Sequence, residues 1–544
     1  MTAVDIRPRS RPRGRPPRPS GRALPGWAVL ALAPALAAAL SLYEITARSL
    51  SFDEGATVAI VSQHGRALLD AIAHDGGNMS GWYLLLHVLT GAFGDGLAVL
   101  RLPSAIAAVA AVALIGAIAD RLFGRRAAVG AGLLAAVSLP LVYWAQTARG
   151  YAGMVAFSCA AMLAFVRMVD PRAGERPGRG SWLAYVAALT AAMYCSFVAV
   201  LVLAAQLPAL ARRRDARRRV AWALVVTAVL CAPLAVLAVH RGSGQLFWVP
   251  RPDSEVETQV LQSLTSAGLS PVFHHHPGTY VLMWATVAAV AAAAVHELAR
   301  ARRGHGSWGA GLALAWAVVP PALTFGWSFV GQPIFVPRNL LACTPALALV
   351  LAPPLMGIGE AARSAAGRGR WRSSATARRA VAIAGPALVA ILIAARSLPL
   401  AASYGVSPEP WNAVTRSVLA AARPGDCIAF YPQDARMAFA YYAGSDPRAP
   451  RSILPPVRWG VVRPYVESYE TLSAAALARA AAGCRRMWFV TSHEGQANGP
   501  PASRAHRARW YALRAELERR FGYAPVRVFG YASRIHVQLM GGAA

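Results

Sequence analysis

The chain has no lysine: all 55 of its basic residues are arginine. Lysine Schiff-base chemistry is thereby excluded, and any cationic contact to a phosphate falls to guanidinium, which is permanently charged and binds bidentately. A GC-rich coding sequence is enough to explain the bias. Charge of either sign is scarce, at 15% of the 544 residues, against about 25% in soluble domains. Hydrophobic residues make up 56%. Apolar stretches of roughly 20 residues, the length that crosses a bilayer, recur between Trp27 and Arg396. These features exclude a soluble globular enzyme, a disordered chain and a small disulfide scaffold. There is no HExxH, CxxC or EF-hand pattern, so no metal and no cofactor is expected.

The net charge of +30 could suggest nucleic acid, but its placement follows a membrane instead. Residues 7–22, RPRSRPRGRPPRPSGR, form a proline-rich arm that cannot be helical. The apolar span 27–43 runs on into Glu44, Arg48 and SFDEG without a small-residue cleavage motif, so it reads as a retained first transmembrane helix. Eleven spans are expected, near 27–43, 103–120, 127–145, 151–167, 182–195, 197–211, 220–239, 279–298, 308–329, 339–357 and 380–396. With residues 1–26 in the cytoplasm, the inner segments hold 29 arginines and 7 acids, the outer ones before residue 400 hold 8 and 9. That asymmetry is the positive-inside pattern of a multi-pass cell-membrane protein. Residues 181–211 must cross twice in two short pieces for the parity to hold. Residues 80–93 are too short to cross and read as an interfacial or re-entrant helix.

Beyond residue 399 the long apolar runs stop. Short β-type runs (CIAFY at 427, MWFVTS at 487, PVRVFGY at 525, RIHVQLM at 534) alternate with helical patterns, which suggests an extracytoplasmic α/β domain over 400–544 after a transmembrane domain over 27–399. Cys159, Cys195, Cys231 and Cys343 fall in or beside spans and read as small apolar residues. Cys427 and Cys484 each precede or begin a strand, and could pair if those strands are neighbours.

The candidate site lies after the first span. Asp53 and Glu54, in Ser51-Phe52-Asp53-Glu54-Gly55, are adjacent carboxylates at a membrane surface. They suit either the start of a solvated helix, where acids complement the macrodipole, or chemistry. The next loop carries His74 and Asp75, followed by the aromatic helix Trp82-Tyr83-Leu84-Leu85-Leu86-His87. Arg101, Arg149 and Arg338 stand on the expected outer face, against the usual bias. An arginine there either forms an ion pair or binds a lipid phosphate. Arg149 and Arg338 are the phosphate candidates, and Arg101, at a helix start, reads as structural. The run His274-His275-His276 reads as a polar loop.

In order, DE after the first helix, the short aromatic helix, Arg101-Leu102-Pro103-Ser104, Leu122-Phe123-Gly124-Arg125-Arg126, Ala148-Arg149-Gly150-Tyr151 and Pro337-Arg338-Asn339-Leu340 resemble the GT-C membrane glycosyltransferases, within them the protein O-mannosyltransferase and lipid A aminoarabinose transferase group. The resemblance covers residues 27–350. It implies a polytopic helical membrane enzyme that moves a sugar, mannose or else arabinose, from a polyprenyl-phosphate carrier to a glycan, glycolipid or protein acceptor, with inversion. Membrane lipid is then a partner and nucleic acid is not. It implies Asp53 as the general base on the acceptor hydroxyl, Glu54 orienting the loop or an outer arginine, and Arg338, Arg149, Asp75, His74 and Tyr151 as substrate-binding residues. The sequence departs from the group at two places: Asn78-Met79-Ser80-Gly81 replaces a proline pair, and Thr147 replaces a glutamate that could have helped to hold a metal. A flippase or transporter is the rival reading; it would show an internal repeat and helices broken at mid-membrane.

Overall fold

The computed structural model describes residues 26–541 apart from 172–177, 243–245, 247, 269–276, 368–374, 458, 460–472, 498 and 531–533. The arginine-rich arm before Gly26 and the histidine run at 274–276 lie outside the described residues.

Residues 26–403 are a bundle of apolar helices. Among the described residues, five are long and apolar enough to cross a membrane: Leu97–Phe123, Tyr151–Val169, Pro277–Arg302, Trp308–Val330 and Pro337–Gly357. Two further pairs qualify together but bend at a break, Arg125–Ala136 with Leu139–Ala145 by 59° and Arg214–Leu230 with Ala232–Arg241 by 54°. Each break has a local cause: Pro140 and Pro233 open the second piece, where a ring without an N–H cannot continue the preceding ladder. Leu30–Leu42, Phe197–Ala211 and Ala384–Ser397 are shorter apolar helices.

Residues 179–211 fold as a helical hairpin. Arg179–Cys195 ends at an extended Ser196, and Tyr185 donates to Gln206 at 2.6 Å across the two arms. Ser80–Phe93 is a 14-residue helix. It buries Ser80, Trp82, Tyr83 and Leu86 and leaves the apolar Leu84, Leu85, Val88 and Phe93 exposed. Trp82 seats against Gly150 and Gly153, where a side chain would collide with its ring.

Residues 411–541 carry a five-stranded sheet in the order β2-β1-β3-β5-β4. The strands are β1 (Asp426–Tyr431), β2 (Arg451–Ser452), β3 (Arg486–Thr491), β4 (Arg527–Phe529) and β5 (Ile535–Met540). β1 runs parallel to β2 and β3, while β5 runs antiparallel to β3 and β4. β1 and β3 are almost wholly buried, which explains their unbroken apolar runs. Helices Trp411–Ala421, Ala435–Ala443 and Pro501–Phe521 cover the sheet with Trp411, Phe439, Trp510 and Leu517. Cys427, in β1, and Cys484, just before β3, form a disulfide, their Cα atoms 5.6 Å apart.

The two parts meet at the acidic motif. The helix Phe52–Val61 packs on Ala435–Ala443 so closely that a Cβ on Gly55 would lie 2.8 Å from the Ala438 backbone. Leu50 N–H donates to the Tyr442 hydroxyl at 2.7 Å, Ser49 N–H to Ser407 Oγ at 2.7 Å, and Phe52 N–H to the Glu409 carboxylate.

Candidate active site

A cavity of about 1070 Å³ opens between the bundle and the sheet. One wall is Ser51–Glu54 with Tyr143, Trp144 and Thr147; a second is Trp248, the helix Ser254–Leu264 and Arg338; the third is Glu409 with the loops leaving β1 and β3.

The helix Phe52–Val61 sets the two acids apart. Ser51 caps it: its Oγ accepts from Glu54 N–H, and Glu54 Oε2 accepts from Ser51 N–H at 3.0 Å. This capping box turns Glu54 back into the protein. Glu54 is 2% exposed and takes Arg101 Nε at 3.0 Å, Arg101 Nη2 at 3.2 Å and Ala148 N–H at 2.8 Å. Arg101, 1% exposed, spends its remaining donors on the carbonyls of Ile45, Arg48 and Ser49. The pair therefore fastens the strand-like entry to the motif, and Arg101 has no donor left for a ligand.

Asp53 faces the cavity instead. Arg338 Nη1 lies 3.0 Å from its Oδ2, and the Arg338 guanidinium sits 4.3 Å above the Trp248 ring. Arg149 stands behind, with Nη1 donating to the Asp53 carbonyl at 3.4 Å, Thr57 Oγ1 at 3.1 Å and the Tyr83 hydroxyl at 3.2 Å. Tyr83 donates in turn to Asp75 Oδ2 at 2.9 Å. Burial pushes the Asp53 carboxyl up, but Arg149, Arg338 and His493 together hold it below the usual carboxylate range. Burial raises Asp75 to about 6, against the pull of Arg149 and the Tyr83 hydroxyl. Glu54 is held low because Arg101 outweighs its burial.

Among the expected site residues, then, Asp53, Glu54 and Arg338 border the cavity, Glu54 with its carboxylate turned to Arg101, and Arg149 and Asp75 are connected behind them through Thr57 and Tyr83. Two expected residues stand elsewhere. His74 is buried with its ring 5.6 Å from that of Trp459, because it lies on the inward face of the helix Arg66–His74. Tyr151 is buried against Trp144, with ring centroids 4.4 Å apart. It borders the arginine rather than the cavity. Thr57 and Tyr83 were missed because a hydroxyl carries no sequence signal. Trp248, Glu409, His493, Glu494 and His536 were missed because they reach the site from distant parts of the chain. Among the described residues, no group of three or more His, Cys, Asp and Glu side chains is arranged to hold a metal ion.

Residues 79–238 match the family described as dolichyl-phosphate-mannose-protein mannosyltransferase. The crystal structure of ArnT from Cupriavidus metallidurans bound to undecaprenyl phosphate is similar over 95% of this chain and 98% of its own, at 16% identity and a TM-score of 0.51. The archaeal oligosaccharyltransferase AglB from Archaeoglobus fulgidus, in complex with an inhibitory peptide and a dolichol-phosphate, is similar over 94% of this chain and 74% of its own, at 13% identity and a TM-score of 0.53. No curated protein sequence matches the chain significantly. The chain thus shares its fold almost end to end with these membrane glycosyltransferases, and the family match, over residues 79–238, falls within that fold.

Proposed function

We propose that the protein transfers a single sugar, mannose or arabinose, from a polyprenyl-phosphate carrier to an acceptor hydroxyl on the extracytoplasmic face, with inversion. The observation that carries this reading is Asp53 on the wall of a large cavity, beside an arginine that an incoming phosphate can claim. Two solved neighbours bind undecaprenyl phosphate and dolichol-phosphate, which supports a carrier of that class.

The chemistry is an in-line displacement. The acceptor O–H gives its proton to Asp53 as its oxygen bonds to the anomeric carbon. The bond from that carbon to the phosphate oxygen breaks, and the electron pair leaves with the carrier phosphate. Asp53 suits the role because it is ionised at neutral pH and stands by the cavity. Arg338 suits the leaving group: guanidinium matches a phosphate's oxygens, and its acid partner here is Asp53 itself. When the donor phosphate draws Arg338 away, Asp53 loses part of the field that depresses it and becomes a better base. The Trp248 ring keeps the guanidinium in place during the exchange.

The eleven-span topology, with the arm inside and residues 400–544 outside, brings Asp53 and the cavity to the outer face. The arginine asymmetry supports it, as does the Cys427–Cys484 disulfide, a bond that persists in oxidising compartments.

The test is turnover of a purified, membrane-embedded protein on polyprenyl-phosphate mannose and polyprenyl-phosphate arabinose. Asp53→Asn keeps size and hydrogen bonding but loses basicity, so its rate should fall about 10²–10⁴-fold with little change in donor affinity. Arg338→Ala should raise donor KM, and Arg338→Lys should rescue poorly because the planar fork is gone. If Asp53→Asn keeps more than about a tenth of the wild-type rate, Asp53 is not the base.

A further inference from the structure

The parallel strands β1 and β3 end at the same edge of the sheet, and residues of the loops that leave them, Pro432 and Asp434 after β1 and His493–Gln496 after β3, line the cavity. His536, opposite Thr491 on the antiparallel β5, stands at the same edge and also lines it. In open α/β sheets a ligand crevice lies outside the carboxyl ends of parallel strands, where successive connections diverge. Here that crevice opens onto Asp53.

Two imidazole–carboxylate pairs stand on this edge. His493 Nε2 is 3.5 Å from Glu409, and His536 Nδ1 is hydrogen-bonded to Glu494, which also accepts the Thr491 hydroxyl at 2.7 Å. Glu409 in addition accepts the Phe52 N–H, so this wall is tied to the first turn of the helix that carries Asp53. The His493 ring packs against Phe52 in a tilted arrangement, centroids 4.8 Å apart, and its Nδ1 is 2.7 Å from Ser492 Oγ. His493 holds a φ of 54°, a left-handed conformation that is uncommon outside glycine and that gathers at functional sites.

We propose that this edge is the acceptor subsite, and that the acceptor group it takes is a carbohydrate. This rests on the transferase reading above and adds the acceptor class to it. Sugar hydroxyls donate and accept in the same direction, and an imidazole beside a carboxylate offers both complements. The rings of Phe52, Trp144 and Trp248 supply apolar faces for the C–H side of a sugar. A peptide that binds by adding a strand needs an unpaired strand side, and among the described residues those sides are on β2 and β4, the outer strands of the sheet, whereas the cavity meets strand ends.

The experiment uses the full chain in nanodiscs. Saturation-transfer NMR without donor compares mannotriose and arabinotriose with a serine- and threonine-containing peptide. The expected result is binding of a trisaccharide and not the peptide, weakened about tenfold or more by Glu494→Gln and by His493→Asn. Asparagine tolerates the left-handed backbone, so the second variant removes the imidazole without forcing the loop to move. In turnover, both variants should raise acceptor KM about tenfold with donor KM unchanged. Binding of the peptide in place of the sugars, binding of no saccharide, or unchanged saccharide affinity in both variants would overturn the proposal. Release of the donor sugar to water without acceptor keeps the two readings separate. If that release ignores Asp53→Asn, the transferase reading has failed; if it depends on Asp53 while Glu494→Gln and His493→Asn leave acceptor KM unchanged, only the subsite has.

Discussion

Asp53 and Glu54 are neighbours in sequence, yet one faces a cavity and the other a buried arginine, because adjacent positions on a helix diverge by about 100°. The consequence is measurable. Glu54→Gln leaves the Arg101 guanidinium buried without its counter-charge, and breaking such a pair costs about 3–5 kcal/mol. Glutamine keeps an acceptor oxygen, so the lower end applies. The expected outcome is a clear loss of thermal stability in detergent with a smaller loss of rate per folded molecule, the reverse of Asp53→Asn. A second residue-scale prediction concerns pH. Asp75 is neutral below about 6 and charged above it. Its folded value lies above the ordinary value of about 4, so its protonated form favours the folded state, and that contribution is lost as pH rises from about 4 to about 6. The same titration reaches the donor. Neutral Asp75 offsets less of the Arg149 charge, and a phosphodiester donor does not titrate in this range, so donor KM should fall as pH drops through about 6. Asp75→Asn should flatten that dependence; a wild-type profile without an inflection there would separate Asp75 from donor binding.

At the scale of elements, the helix Phe52–Val61 joins the two halves of the protein. Its N-terminus is capped from within by Ser51 and from the sheet side by Glu409, and its flank is pressed onto Ala435–Ala443 at Gly55. A Cβ at Gly55 would meet backbone atoms, which cannot swing aside as a side chain can. Overpacking of this kind costs about 1–3 kcal/mol. Gly55→Ala should therefore loosen the docking of the sheet on the bundle, seen as faster protease cleavage near residues 400–410 and a lower rate with donor KM nearly kept. This helix also shows what could be read beforehand. Adjacent acids beyond an apolar span are costly to bury, and an arginine on the outer face goes against the charge bias, so Asp53 and Arg338 stood out from local context. Glu409 and His493 carry no such signal; they reach Asp53 through a contact that spans more than 350 residues of chain. His74 stands away from the cavity for a local reason: the turn after it sends Asp75 toward Tyr83 while His74 stays on the buried face of its helix.

At the scale of the whole molecule, the site works only if its walls share one side of the membrane. The cavity draws on the ends of apolar helices, on the segments between them and on the sheet, and a lipid-linked donor must enter from the bilayer beside them. The topology proposed from arginine placement has the 212–219 run, RRRDARRR, on the opposite face from residues 400–544. Ser445 and Arg218 are both exposed, one on the sheet side and one in that run. The four free cysteines are buried and the other two are bonded, so an introduced thiol reports cleanly. In intact cells a membrane-impermeant maleimide should label Ser445→Cys, while Arg218→Cys should react only after permeabilisation. A closed disulfide supports the same orientation, since a cytoplasmic sheet would meet a reducing pool. The reverse labelling pattern would put Asp53, Arg338 and the sheet on the cytoplasmic side, and the donor would then have to be recognised before it is flipped across the membrane.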